Sequence, residues 1–97
     1  MDTQWVEDLA SLASCGNFSE AARMNNISQS AFSRRIKAFE AWVGAALVDR
    51  SNHPVKLTQA GRQMLEAGQQ ALTRIETERA HIRESLSGPD KYVVTFA

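Results

Sequence analysis

Apolar residues recur at steps of three and four along three stretches of this chain, with a short stretch of strand-like pattern before the last. Trp5, Leu9, Leu12 and Ala13 stand at i, i+4, i+7 and i+8, the spacing of one helical face. Asp2 or Thr3 can cap that helix, and Glu7 and Asp8 lie near the positive end of its dipole. Gly16 can stop it in the left-handed conformation. Ser19 then reads as the N-cap of a short helix from Glu20 to about Met24, closed by Asn25 and Asn26, which tolerate turn geometry. Ser28 caps a third helix, Gln29 to about Trp42, stopped by Gly44. Its apolar face is Phe32, Ile36, Phe39 and Val43. The other face carries Gln29, Ser30, Ser33, Arg34 and Lys37, a stripe rich in donors and free of acids.

Two β-prone runs follow, Ala46 to Arg50 and Val55 to Leu57, around the polar turn Ser51-Asn52-His53-Pro54. They read as a small hairpin, and Pro54 is tolerated at a turn or strand start. Thr58 caps the last helix, Gln59 to about Ser87, which Ser87-Gly88-Pro89 ends. Leu65, Leu72, Ile75, Ile82 and Leu86 repeat there at heptad spacing, with Gly68 and Arg79 interrupting the seam. About 29 residues at 1.5 Å each make roughly 43 Å of helix, too long to pack on so small a domain alone. A partner helix is therefore expected along the seam, with Arg79 at a crossing point or paired with a partner's Glu. The tail Tyr92 to Ala97 is strand-like and reads as the start of a further domain.

Helix, short helix, turn, helix and hairpin is the order of a winged helix-turn-helix. The predicted fold class is mainly α: a winged helix-turn-helix over residues 1–57, a long dimerisation helix over 58–88, and a first strand of another domain over 89–97. The chemistry suits double-stranded DNA. The N-terminus of the third helix can enter a major groove, where Gln29 can take adenine's donor–acceptor pair and Arg34 can fork onto guanine. Backbone N–H groups at Ser19 and Ser28 can meet phosphates. Arg50, His53 and Lys56 in the wing, with Pro54 shaping its turn, can follow the backbone or enter the adjacent minor groove.

Overall composition gives this reading no support. Eleven bases against eleven acids leave zero net charge over 97 residues. The average hides a gradient: Arg23 to Lys56 holds six bases and two acids, a net +4, whereas the first twenty residues hold four acids and no base. Screening removes a charge's influence beyond about 8–10 Å at physiological salt, so the local value decides phosphate contact. No apolar run is long enough to span a bilayer, and the polar start Met1-Asp2-Thr3-Gln4 is neither a secretory signal nor a transit peptide. A cytoplasmic protein with no membrane partner is expected. One cysteine, Cys15, allows no intrachain disulfide and, with His53 and His81 far apart, no zinc site. No Gly-rich phosphate loop or nucleophile–base pair is present, so neither an enzyme nor a resident cofactor is expected.

Taken together, Asn17-Phe18-Ser19-Glu20-Ala21-Ala22, Ser28-Gln29-Ser30-Ala31-Phe32-Ser33-Arg34-Arg35-Ile36, Glu40, Gly44, Leu47, Arg50 and Leu57-Thr58-Gln59-Ala60-Gly61 resemble the LysR-type transcriptional regulators. The resemblance covers residues from about 3 to 88. It implies a DNA-binding domain and a linker helix that dimerises antiparallel to its mate, on an interrupted T-A-flanked palindrome. It also implies a following effector domain that senses a small molecule or redox signal, and a tetramer for the full-length protein. Ser30 stands where the family often has Pro, which weakens apolar contact with a thymine methyl, and Val48 where it usually has Phe, which leaves a smaller plug under the wing. The Ala31-to-Arg35 variant, with Trp5 and Asn17-Phe18-Ser19, most resembles a subgroup that includes hypochlorite-responsive regulators.

Blander roles compete at several positions. Lys37 and Lys56 fit solubilising charges as well as phosphate contacts, and His53 is first a surface turn residue. Arg35 fits the domain edge better than base reading. Cys15 reads as a small half-buried residue with no nearby base to activate it. Trp5 and Trp42 fit core or dimer contacts. A protein-interaction module is the rival function, favoured by the zero net charge and opposed by the acid-free stripe, which a protein-binding face would not require.

Overall fold

The computed structural model describes residues 1–86. The expected helix end at Ser87-Gly88-Pro89 and the strand-like tail lie outside the described residues. In chain order the elements are α1 (Gln4–Cys15), α2 (Phe18–Met24), α3 (Gln29–Val43), β1 (Val48–Asp49), β2 (Lys56–Leu57) and α4 (Gln59–Leu86). The fold class is the expected one: mainly helical, three helices and a two-stranded wing followed by a long helix.

Local chemistry sets the boundaries. The Gln4 N–H donates to the Asp2 carboxylate at 3.0 Å, so Asp2 rather than Thr3 supplies the side-chain acceptor at the start of α1. Gly16 ends α1 at φ 65° and Gly44 ends α3 at φ 86°, both left-handed. Ser28 caps α3, its Oγ accepting from the Ala31 N–H at 3.2 Å. Thr58 Oγ1 does the same for α4, accepting from the Gly61 N–H at 3.0 Å. The expected cap of α2 is corrected. Asn17, not Ser19, occupies that position and accepts from the Glu20 N–H at 2.9 Å, so α2 begins at Phe18 and Ser19 lies in its first turn. An Asn side chain satisfies the same orphan donor as a Ser, and Asn17 has the extended backbone a cap requires.

The core lies where α1, α2 and α3 meet. Leu9 and Leu12 from α1, Ala21 and Ala22 from α2, and Phe32, Ile36 and Phe39 from α3 are buried together. Leu47 and Val48 close the core from the wing side. Phe18 meets Phe32 edge-on at 5.8 Å, and Trp5 lies 5.4 Å from Phe39, joining α1 to α3. The α1 stripe needs one correction: Ala13 is exposed, and Val6 and Asp8 are buried instead. The fourth helix comes in over this face, and its approach rotates the buried arc of α1 toward Val6.

Two glycines permit that approach. A Cβ on Gly61 would stand 2.1 Å from the Leu47 carbonyl oxygen, and one on Gly68 would stand 2.7 Å from a Val6 methyl. Gly68 is thus no mere fault in the seam: it is where α4 touches α1. Beyond Leu72 the helix leaves the domain, and Ile75, Ile82 and Leu86 are all more than half exposed. No described helix is long and apolar enough to cross a membrane.

The hairpin is shorter than its β-prone runs. β1 and β2 pair antiparallel, Val48 opposite Leu57 and Asp49 opposite Lys56, and residues 50–55 form the tip.

Candidate nucleic-acid interface

The turn between α2 and α3 is tight because its polar groups are spent locally. Asn26 takes φ 58°, and the Ile27 N–H returns to the Ala22 carbonyl at 3.1 Å. α3 thereby starts at the surface with Ser28, Gln29 and Ser30 exposed. Ser28 Oγ and Ser30 Oγ lie 3.3 Å apart. Backbone N–H groups in a first turn have no helical acceptor, so this end presents donors outward with the positive end of the helix dipole. Burial of Phe32, Ile36 and Phe39 turns the opposite face to solvent. Arg34 and Lys37 are exposed there and Ser33 is half-buried.

The wing is tied down at both ends. Glu40 on α3 accepts from the Leu47 and Val48 N–H groups at 2.8 and 3.2 Å. At the tip, the Val55 N–H donates to the Gly16 carbonyl at 2.9 Å. A Cβ on Gly16 would fall 2.7 Å from that of Pro54, so the α1 terminus and the wing turn require a glycine there for space as well as for φ. Asp49 accepts from the Ser51 hydroxyl and N–H at 2.6 and 3.0 Å. The Ser51 hydroxyl, and then its N–H, hold the Asp49 carboxyl below the ordinary carboxylate range. His53, Pro54 and Lys56 are exposed on this wing.

Ion pairing redistributes the basic stretch. Arg23 binds Glu20 at 2.6 Å and Arg35 binds Asp8 at 2.8 Å. Arg50 lies 3.7 Å from Glu40 with its guanidinium 4.7 Å above the Phe18 ring. Among the described residues, three of the six bases are therefore partnered, and Arg34, Lys37 and Lys56 are left without an ion pair. Arg50 sits against α2 and α3 rather than free at the wing's edge. The sequence pattern could place it on the wing, but it could not show which carboxylate the hairpin would bring it to.

A polar cluster behind α3 was not expected. Asp8 is fully buried, and besides Arg35 its Oδ1 accepts from the Gln4 side-chain amide at 3.2 Å. Gln4 also reaches Asn25 at 3.3 Å, and Asn25 donates to Ser11 and to the Ala21 carbonyl at 3.0 and 2.8 Å. A signal was present: Asp8 stands three residues after Trp5 and four before Leu12, on the apolar row itself.

The seam residues divide. Leu65 packs against the core of its own domain, and Leu72 lines a groove with Val6 and Ala10 of α1. Ile75 and Ile82 point to solvent, and Arg79 pairs with Glu76 of its own helix at 2.9 Å. Trp5 belongs to the core edge, whereas Trp42 is exposed. Cys15 is half-buried, its thiol directed to the Asn17 carbonyl at 3.4 Å.

A tight helix-turn-helix whose second helix offers an exposed donor stripe, flanked by a wing, defines the winged helix-turn-helix class. The sequence model described as bacterial regulatory helix-turn-helix protein, lysR family, matches residues 3–62. The chain belongs to this family. It is 37% identical over 83 residues to the HTH-type transcriptional regulator YjiE of Escherichia coli, covering 86% of this chain and 27% of that protein. Among solved structures, Vibrio fischeri DarR in complex with DNA is similar at 39% identity and TM-score 0.80, over 87% of this chain and 29% of that one. HypT of Salmonella typhimurium, a hypochlorite-specific LysR-type regulator, is similar at 37% identity and TM-score 0.75, over 86% and 29%. The chain spans about a quarter of the length of the curated relatives it matches first.

Proposed function

We propose that this chain is the DNA-contacting part of a LysR-type transcriptional regulator and binds double-stranded DNA as a homodimer. The observation that carries the reading is the acid-free stripe of α3, where Gln29, Ser30, Ser33, Arg34 and Lys37 stand opposite the buried Phe32, Ile36 and Phe39. α3 enters the major groove, with Gln29 and Arg34 reading base edges. Ser19, Ser28 and Lys37 meet phosphates, and the wing carries His53, Pro54 and Lys56 to the flank. Arg50 contributes through the same wing, either by shifting to a phosphate or by holding the hairpin in place. Support for dimerisation is the exposed apolar pair Ile75 and Ile82 on the outer part of α4, continuing the row from Leu72, with Arg79 inside it. Two copies related by a two-fold imply an interrupted palindrome with half-sites about one turn apart, and the family resemblance supports T-A flanks. A cytoplasmic regulator with an effector domain after this segment, tetrameric at full length, completes the proposal.

The test is fluorescence anisotropy on a T-A-flanked palindromic duplex and a scrambled one at two salt concentrations. Preference for the palindrome, weakening steeply with salt, is the expected result. Equal weak binding to both would turn attention to the rival function, a protein-binding surface.

A further inference from the structure

The Asp8–Arg35 pair, its carboxylate buried and its arginine side chain 31% exposed, has no part in the contacts just described. Arg35 follows Arg34 directly on α3, so the two side chains project about 100° apart on a helix of 3.6 residues per turn. Arg34 points outward. Arg35 turns inward over the domain edge and reaches Asp8 on α1 at 2.8 Å, where the carboxylate side chain is only 1% exposed. Asp8 Oδ2 and Arg35 Nε have no hydrogen-bond partner among the described residues. An ion pair with a buried carboxylate that leaves part of its hydrogen-bonding capacity unused is a poor source of stability, because well-packed apolar side chains of similar volume commonly do as well or better. Its directionality is what an apolar contact lacks. A carboxylate and a guanidinium meet in few geometries, whereas apolar side chains can slide and rotate against each other with little change in energy.

We propose that Asp8 and Arg35 are positioning residues that fix the rotation of α3 about its own axis, and so set which side chains of the stripe meet the bases. The Phe32, Ile36 and Phe39 face holds α3 on the core, and the pair locks its angle. Gln4 and Asn25 extend the lock to the α2–α3 turn, since Gln4 donates to both Asp8 and Asn25. A small rotation of α3 would move the Arg34 guanidinium, at the end of a long side chain, by more than a hydrogen bond tolerates. Phosphate contacts through the long, exposed side chains of Lys37 and Lys56 would survive such a rotation. The pair therefore acts on sequence discrimination more than on overall attraction to DNA.

This inference rests on the DNA-binding reading, and one experiment separates the two. Wild-type chain, the single variant Arg35→Gln and the double variant Asp8→Leu/Arg35→Met are each used to select binding sites from a randomised duplex library. The enriched wild-type site and a scrambled duplex are then titrated with all three over a range of salt. Urea unfolding of each variant runs alongside. The double variant removes both charges together and keeps apolar volume, so it remains folded where the single variant fails. The expected result is a folded double variant whose preference for the wild-type site falls by about tenfold or more, the size of one lost base contact. Its binding to the scrambled duplex and its salt slope stay at wild-type values. A folded double variant that keeps the wild-type preference overturns the inference and leaves the DNA-binding reading intact. Failure of the wild-type chain to enrich any site overturns the reading, and the inference with it.

Discussion

Arg34 and Arg35 are chemically identical neighbours with opposite surroundings. Arg35 is held by a buried carboxylate, and Arg34 meets no acid among the described residues. An unpaired guanidinium on the exposed stripe has its whole fork available, and a bidentate base contact contributes about 1–3 kcal/mol of discrimination. Arg34→Ala should lose that amount, read as lowered affinity for the preferred duplex in an anisotropy titration, with the scrambled duplex much less affected. Lys37→Ala should behave differently. Each neutralised phosphate contributes about 0.9 to the slope of log affinity against log salt. The substitution should flatten that slope by about one per DNA-bound copy while preserving sequence preference. An unchanged slope would return Lys37 to the solubilising charges. Arg50 yields to the same measurement: a wing clamp leaves the slope of an Arg50→Gln variant intact, and a phosphate contact reduces it.

Packing of α4 on the domain turns on what is absent from two of its side-chain positions. Alanine in a helix interior normally gains about 1 kcal/mol over glycine. At Gly61 that gain is overridden, because the new Cβ would stand 2.1 Å from a backbone oxygen of Leu47, which cannot move without disturbing the wing. Gly61→Ala should therefore destabilise the domain by about 1–3 kcal/mol through overpacking, read as a lower urea midpoint. Gly68→Ala should also lower it, by a smaller amount, since the obstructing Val6 methyl at 2.7 Å belongs to a side chain that can adjust. A midpoint raised by either substitution would contradict this account of the α1–α4 contact. The wing depends on α3 in a similar way. Glu40 accepts both N–H groups at the start of β1 and also faces Arg50, so a two-residue strand persists without a larger sheet.

The molecule as a whole is a small domain from which most of a 28-residue helix projects. The part near the domain is accounted for by Gly61, Leu65 and Gly68. The outer part carries Ile75, Ile82 and Leu86 at more than half exposure, the apolar positions that the proposed dimer would cover. Replacing Ile75 and Ile82 together by Asp should convert the proposed dimer into a monomer by sedimentation velocity, with the helical circular dichroism of the domain retained. A double variant that still sediments as a dimer would place the interface elsewhere. Both residues lie outside the core, so loss of folding is not an expected confounder.

The sequence by itself determined the order of elements, the helix stops at Gly16 and Gly44, the caps at Ser28 and Thr58, and the exposed face of α3. These features depend on residues close together in the chain, where spacing, φ preference and local hydrogen bonds act directly. Even the cap of α2 differs by only two residues, Asn17 in place of Ser19 on the other side of Phe18. Tertiary structure alone decided which charges are free. The partners Asp8–Arg35 lie 27 residues apart, and the wing brings Arg50 to Glu40 and Phe18, so no local pattern announces either contact. It also decided the meaning of Gly68, a gap in a heptad when read along the helix and a point of contact once α1 is packed against it. Periodicity reports which face of an element is apolar; only the packed fold says what that face, and each charge beside it, finally meets.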